Sequence, residues 1–140
     1  MVTLTNDDLK CIALFEKLTG AACKDCLIQP DSVTFVVEKN QLGKAIGKKG
    51  STISRVRQLF KKNVYIVEYA ETPERFAENI FSIARVTASV EKINGMSYVV
   101  VKVNESERGA AIGRDGYRVK LAAALLQRHF GLGLKLYSTK

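Results

Sequence analysis

Gly43-Lys44-Ala45-Ile46-Gly47-Lys48-Lys49-Gly50 and Gly109-Ala110-Ala111-Ile112-Gly113-Arg114-Asp115-Gly116 are one octapeptide written twice, and their spacing decides how the chain is organised. The offset is 66 residues, from Gly47 to Gly113, and the same offset carries Val37 onto Val103 and Ile53 onto Val119. Three glycines, an Ala-Ile step and flanking apolar positions held in one register define an internal repeat.

Working outward from each copy, the two halves read as the same series of elements. In the first half, Thr5 and Asn6 are capping candidates for a helix of about Asp7 to Leu18, with Cys11, Leu14, Phe15 and Leu18 spaced for one face and Gly20 able to end it. Apolar runs at Cys26 to Ile28 and Val33 to Val37 flank Gln29-Pro30-Asp31-Ser32, a turn composition. After the glycine segment, a helix is expected from Ser51 to about Lys62, with Ile53, Val56, Leu59 and Phe60 inward. Val64-Tyr65-Ile66-Val67 closes the half as a strand, by its β-branched and aromatic content.

The second half opens with Thr72-Pro73, an N-cap followed by the proline that first helical turns accept, and Phe76, Ile80 and Ile83 or Ala84 mark its buried face. Asn94-Gly95 joins strands near Thr87 to Ile93 and Tyr98 to Val103, a strong hairpin signal. The glycine segment follows, then a helix from Tyr117 to about Phe130 and a last strand near Leu134 to Tyr137. Aligning Val64 and Ile66 with Leu134 and Leu136 makes the offset 70, so four residues, about one helical turn, are added to this helix. The expected fold is α+β, with the order α-β-β-α-α-β in residues 1–70 and again in 71–140, each half a three-stranded sheet against helices. The joint near Tyr69 to Thr72 leaves almost no linker, which implies two domains in fixed relation.

The formal net charge is +8, and each half carries eleven Lys/Arg against seven Asp/Glu. With a pI near 9.5, such a surplus favours a polyanion, because Lys and Arg displace counterions condensed on phosphates. No apolar run approaches the roughly 18–20 residues that span a bilayer. Residues 1–9 lack the basic-then-apolar pattern of a secretion signal, so a cytoplasmic location with reduced thiols is expected.

A G-x-x-G quartet between helices, preceded by an Ile-Gly step and followed by an amphipathic helix, resembles the signature loop of KH domains. Both Gly47-Lys48-Lys49-Gly50 and Gly113-Arg114-Asp115-Gly116 match it. The order α-β-β-α-α-β, with no room beyond Lys140 for a further strand and helix, is similar to the prokaryotic (type II) version of that fold. Two such domains over residues 4–138 resemble the archaeal NusA family of transcription factors. That resemblance implies single-stranded RNA as ligand and a role in transcription elongation, termination or antitermination, with RNA polymerase a candidate partner. Bacterial relatives carry an N-terminal polymerase-binding domain and an S1 domain that are not seen here, so a polymerase contact is expected either to use another surface or not to occur.

The loop chemistry stands apart from the name. Glycines at both corners permit backbone angles barred to other residues and let a ligand come close. Backbone N–H groups at the start of the next helix then face a phosphate, aided by the helix dipole, and such a loop clamps about four nucleotides. The residues expected to bind RNA are Gly43, Lys44, Ile46, Gly47, Lys48, Lys49, Gly50, Ile53 and Arg55 in the first half. In the second they are Ile112, Gly113, Arg114, Asp115, Gly116, Tyr117 and Val119. By resemblance to KH domains, Ile46, Ile53, Ile112 and Val119 would offer an aliphatic groove to unstacked bases, or serve as core, or both. Lys48 and Lys49 give the first loop a charge of +2, whereas Arg114 and Asp115 cancel, so the first half is expected to supply more of the electrostatic affinity. Asp115 would repel a phosphate or serve as a helix cap.

Other signals carry less. Gly43 to Thr52 fails the P-loop pattern because position 48 is Lys rather than Gly. Cys23-Lys24-Asp25-Cys26 has metal or redox spacing, but a structural zinc needs four ligands and only Cys11 and the distant His129 remain. Buried thiols, a structural His129, no cofactor and no catalytic residue are expected. Leu121 to Leu126 read as a helix apolar nearly all round, open to packing on the first half, a second copy or another protein. The competing functions are therefore a ribosomal or ribosome-assembly KH protein and, from another class, a protein-interaction module with incidental RNA binding.

Overall fold

The computed structural model describes residues 2–140. The chain divides into two compact units, Thr3–Tyr69 and Ala70–Lys140, the second also taking in Val2.

In the first unit, α1 (Asn6–Thr19) starts from a reciprocal capping box. The Asp8 N–H donates to Thr5 Oγ1 at 3.1 Å and the Thr5 N–H to Asp8 Oδ2 at 2.9 Å, which satisfies two of the donors a helix start leaves open. Gly20, at φ 72°, ends it. β1 (Cys23–Ile28) and β2 (Ser32–Val37) pair antiparallel across a tight turn, and β3 (Asn63–Glu68) pairs parallel to β2. A parallel pair needs a crossover. Here α2 (Leu42–Ile46) and α3 (Ser51–Phe60) provide it, with the glycine turn between them. Ile12 and Phe15 of α1, Val33, Phe35 and Val37 of β2, and Val56 of α3 meet in the core. The Phe15 and Phe35 rings stack at 4.0 Å, and Phe60 meets Phe35 edge-on at 5.5 Å.

The second unit repeats the plan with α4 (Pro73–Ile80), β4 (Val86–Ile93), β5 (Met96–Asn104), α5 (Arg108–Ile112), α6 (Tyr117–Phe130) and β6 (Gly133–Thr139). Thr72 caps α4 and Pro73 opens it. Asn94 (φ 50°) and Gly95 (φ 82°) form the hairpin turn with both central residues at positive φ, the twist that suits flanking strands. Strand order is β1-β2-β3 in one sheet and β4-β5-β6 in the other. The registers fix the correspondence: Val33 faces Val64 and Phe35 faces Ile66, while Val99 faces Leu134 and Val101 faces Leu136. The offset is thus 66 on the central strand and 70 on the last, and the helices between them have 10 and 14 residues.

Several sequence expectations need correction. α3 ends at Phe60 rather than Lys62, because Lys61 turns to φ 55° and its N–H closes on Arg57 O at 2.9 Å. Leu59 (58% exposed) and Leu14 (42%) lie off the buried stripes centred on Val56 and on Ile12 and Phe15. Ile83 is 60% exposed, since α4 stops at Ile80 and Phe81 enters the core instead. α6 is not apolar all round. Leu121, Ala122, Leu125 and Leu126 are buried on one face while Ala124 is exposed, and the helix packs on α4 and β6 of its own unit.

Candidate nucleic-acid interface

Both glycine segments fold into the same turn. α2 ends at Gly47 (φ 77°, ψ 171°), whose N–H donates to Gly43 O at 2.9 Å; α5 ends at Gly113 (φ 79°, ψ 171°), whose N–H donates to Gly109 O at 3.0 Å. One tight 3-10 turn follows in each, closed by Gly50 N–H to Gly47 O and by Gly116 N–H to Gly113 O, both at 3.1 Å. Lys49 and Asp115 share φ 55°, and Gly50 and Gly116 share φ 74°. The backbone of Gly47 lies in a region that only glycine enters readily. A Cβ there would also run into the Thr52 side chain and come within 2.8 Å of Thr52 N.

α3 and α6 then begin at Gly50 and Gly116 with no side chain capping them. Their first N–H groups lack intrahelical partners and carry the positive end of the helix dipole. Asp115 makes no cap bond to α6, so the capping role open to it in the sequence is not taken up. Lys44, Lys48, Lys49 and Arg55 are exposed around the first turn, and Arg114 and Asp115 are exposed on the second.

The apolar residues expected beside the turns are neither core nor fully free. Ile46 is 37% exposed, and Ile53, Ile112 and Val119 are half-buried, whereas Val56 and Ala122, three residues further along the same helices, are wholly buried. One partly open aliphatic strip thus runs from each glycine turn along its helix. Tyr117 is half-buried at the start of α6. Arg118 was not expected to matter, yet it ties the start of α6 to α5 and to the end of α4. Its Nε donates to Ala110 O and its Nη1 to Ile80 O, both at 3.4 Å, and its guanidinium lies 5.4 Å from the Tyr117 ring centre. A basic residue two places past the second glycine was the only signal for it. Gly43 and Gly109 differ from the corner glycines: neither has positive φ, and a Cβ at either would meet nothing within 4 Å.

The cysteines are free thiols. Burial pushes Cys23 and Cys26 up to about 12 and also raises Cys11. A bulge between Cys23 and Asp25 breaks the pair's strand alternation, and Cys26 Sγ donates to Asp8 O at 3.6 Å. His129 sets its ring edge-on to Phe76 at 5.6 Å, a packing role. Among the described residues, no group of three or more His, Cys, Asp or Glu side chains is placed to hold a metal, and no helix is long and apolar enough to cross a membrane.

Two uncapped helix starts on matched G-x-x-G turns define a KH-type arrangement, and the comparisons agree. The family model described as KH domain matches residues 12–92, more than half the chain. "Probable transcription termination protein NusA" of Halococcus morrhuae is 37% identical over 131 residues, covering 94% of each chain. The protein of the same name from Methanocaldococcus jannaschii is 32% identical over 129 residues, 91% of this chain and 70% of the relative. The crystal structure of APE1850 superimposes with a TM-score of 0.82 at 32% identity, covering 97% of this chain and all of that one. The chain belongs to the KH-domain family and, within it, to the archaeal NusA group that these relatives represent.

Proposed function

We propose that this protein is a single-stranded RNA-binding transcription factor of the NusA type, built as two tandem type II KH domains over residues 1–70 and 71–140. The observation that carries the reading is the pair of glycine turns with matching backbone angles, each opening an uncapped helix beside a partly exposed Ile/Val strip. Phosphates bind the N–H groups at the starts of α3 and α6, with Lys44, Lys48, Lys49 and Arg55 adding charge on the first domain and Arg114 on the second. Bases lie on Ile46 and Ile53, and on Ile112, Val119 and Tyr117, where an unstacked base fits and a duplex does not. The first turn carries more of the electrostatic affinity, because Asp115 offsets Arg114. The protein acts by binding in the cytoplasm, without a covalent step, and delivers its effect through nascent RNA and RNA polymerase. The interaction-module alternative loses its support, because the leucines of α6 are spent on its own unit's core.

Fluorescence anisotropy tests the proposal, with random-sequence single-stranded RNA, the matched duplex, and a Lys48→Asp/Lys49→Asp variant over a salt series. The expected result is preference for the single strand and a variant that stays folded, loses most affinity and shows a shallower salt slope, by about 0.7 for each phosphate it no longer neutralises. Equal binding by parent and variant would overturn the assignment of the first turn.

A further inference from the structure

A cleft of about 510 Å³ lies at the far end of α3 from the glycine turn, lined by Pro30, Asp31, Arg57, Lys61, Lys62 and Asn63. The parallel pairing of β2 and β3 builds it, setting Ser32 opposite Asn63 and so bringing the β1–β2 turn beside the end of α3. Asn63 N–H donates to Asp31 O at 3.2 Å, and Lys62 Nζ to Gln29 O at 3.0 Å, so the walls are tied together. Three cations and one carboxylate line it.

The second unit shows that these charges are not a requirement of the fold. Gly131 stands where Lys61 does: each follows its helix at positive φ (67° and 55°), and each N–H closes on the carbonyl four residues back, Gln127 and Arg57 respectively. Arg57, Lys61, Lys62 and Asn63 therefore correspond to Gln127, Gly131, Leu132 and Gly133. Ser32 corresponds by register to Tyr98, whose ring lies so close on Gly133 that a Cβ there would sit 2.7 Å from Tyr98 Cδ1. At the equivalent place none of the four matching residues is basic and the Tyr98 ring lies on Gly133, the nearby Lys135 Nζ sitting over that ring at 4.9 Å from its centre. Lys61 also occupies a left-handed corner that glycine takes without strain, as Gly131 does. The helix dipole alone does not call for three cations, since α6 ends with a single Arg, Arg128, in its last turn.

We propose that this cleft is a phosphate-binding subsite for the RNA strand leaving the first glycine turn. Ile53 and Arg57 are four residues apart on one side of α3, and Gly50 to Lys61 spans about 16 Å at ~1.5 Å per residue. A strand held at Lys48 and Lys49 runs over Ile53 and places a later phosphate against Arg57, Lys61 and Lys62. The inference rests on the RNA-binding reading and extends the footprint beyond the roughly four nucleotides of one KH loop. The chemistry recognised is a phosphate oxyanion, which a free polyphosphate shares.

The test uses the full chain with Arg57→Gln and Lys61→Gly, the second unit's own residues, so the strained corner is relieved and folding is not at risk. Fluorescein-labelled random single-stranded RNAs of about four and about ten nucleotides distinguish the loop from the extended track. The expected result is a loss of about tenfold for the longer RNA, with a salt slope shallower by roughly 1.4 for two phosphates, and a change below about twofold for the shorter one. Equal loss at both lengths, or none at either, would overturn the subsite. A parent that binds neither length would instead overturn the RNA-binding reading itself. Sodium tripolyphosphate is titrated by calorimetry in parallel. Tight binding to the parent that the variant loses, with the longer RNA unaffected, would assign the cleft to free polyphosphate and overturn the RNA track.

Discussion

Alanine at each glycine of the first turn separates what the fold needs from what a ligand needs. Gly47→Ala meets two obstacles: φ 77° with ψ 171°, and a new Cβ against the Thr52 side chain and 2.8 Å from its backbone nitrogen. A backbone penalty of ~1–3 kcal/mol and an overpacking penalty of similar size together cost about 2–6 kcal/mol. Gly50→Ala meets only the left-handed backbone at φ 74°, with Ile53 Cγ2 a comfortable 3.9 Å away, and costs about 1–2 kcal/mol. Gly43 has helical backbone and nothing within 4 Å of a Cβ, so Gly43→Ala gains roughly 0.5–1 kcal/mol of helix propensity. Urea unfolding followed by circular dichroism should order the proteins Gly43→Ala, parent, Gly50→Ala, Gly47→Ala from most to least stable. In the same samples, the proposed interface predicts that Gly43→Ala binds single-stranded RNA more weakly, its methyl standing where the strand would approach α2. A Gly47→Ala variant within about 1 kcal/mol of Gly50→Ala would refute the steric argument. Undiminished RNA affinity in Gly43→Ala would remove Gly43 from the interface.

Further expectations follow from individual side chains. Lys49 and Asp115 share one backbone conformation, and Asp tolerates it better than Lys; Lys49→Asp should keep its melting temperature while its RNA salt slope falls by about 0.7. An unchanged slope would mean Lys49 meets no phosphate. Thr34 is wholly buried on the central strand and its Oγ1 has no hydrogen-bond partner. Thr34→Val should therefore stabilise by about 1 kcal/mol, a gain of ~4–8 °C in melting temperature for a unit this size, and a destabilised variant would show that the hydroxyl is satisfied. Cys23 and Cys26 stay protonated to about 12 in the fold against 9.0 when free. Their contribution to stability is therefore complete below pH 9 and fades as pH rises from 9 toward 12. At pH 8 their alkylation by iodoacetamide should be much slower in the native protein than in urea, and comparable rates would contradict the raised thiol pKa values.

Much of this architecture was legible because the repeat constrains it twice. Asn94-Gly95 announced its hairpin, and the four-residue growth between the Val64 and Leu134 strands reappears as the different lengths of α3 and α6. What escaped lies at helix ends and in contacts distant along the chain. Lys61 takes a left-handed turn that glycine usually marks, so the sequence pattern carries α3 past its true end. Ile83 fell outside a helix that ended one turn early, and Phe81 took the buried place. Arg118 reaches Ile80, 38 residues back. The basic cleft joins Asp31 to Lys61 only through the parallel pairing of β2 and β3. Periodicity along one segment does not report such neighbours.

The most direct test of the central claim is a ¹⁵N-resolved NMR titration of the full chain with short single-stranded RNA, following each backbone amide. The account predicts that the largest shifts fall on Gly47 to Ser51 and Gly113 to Tyr117, with the first set saturating at lower RNA concentration. Shifts gathered elsewhere, such as around the exposed Leu9 and Leu14 of α1, with the glycine-turn amides unmoved, would contradict it.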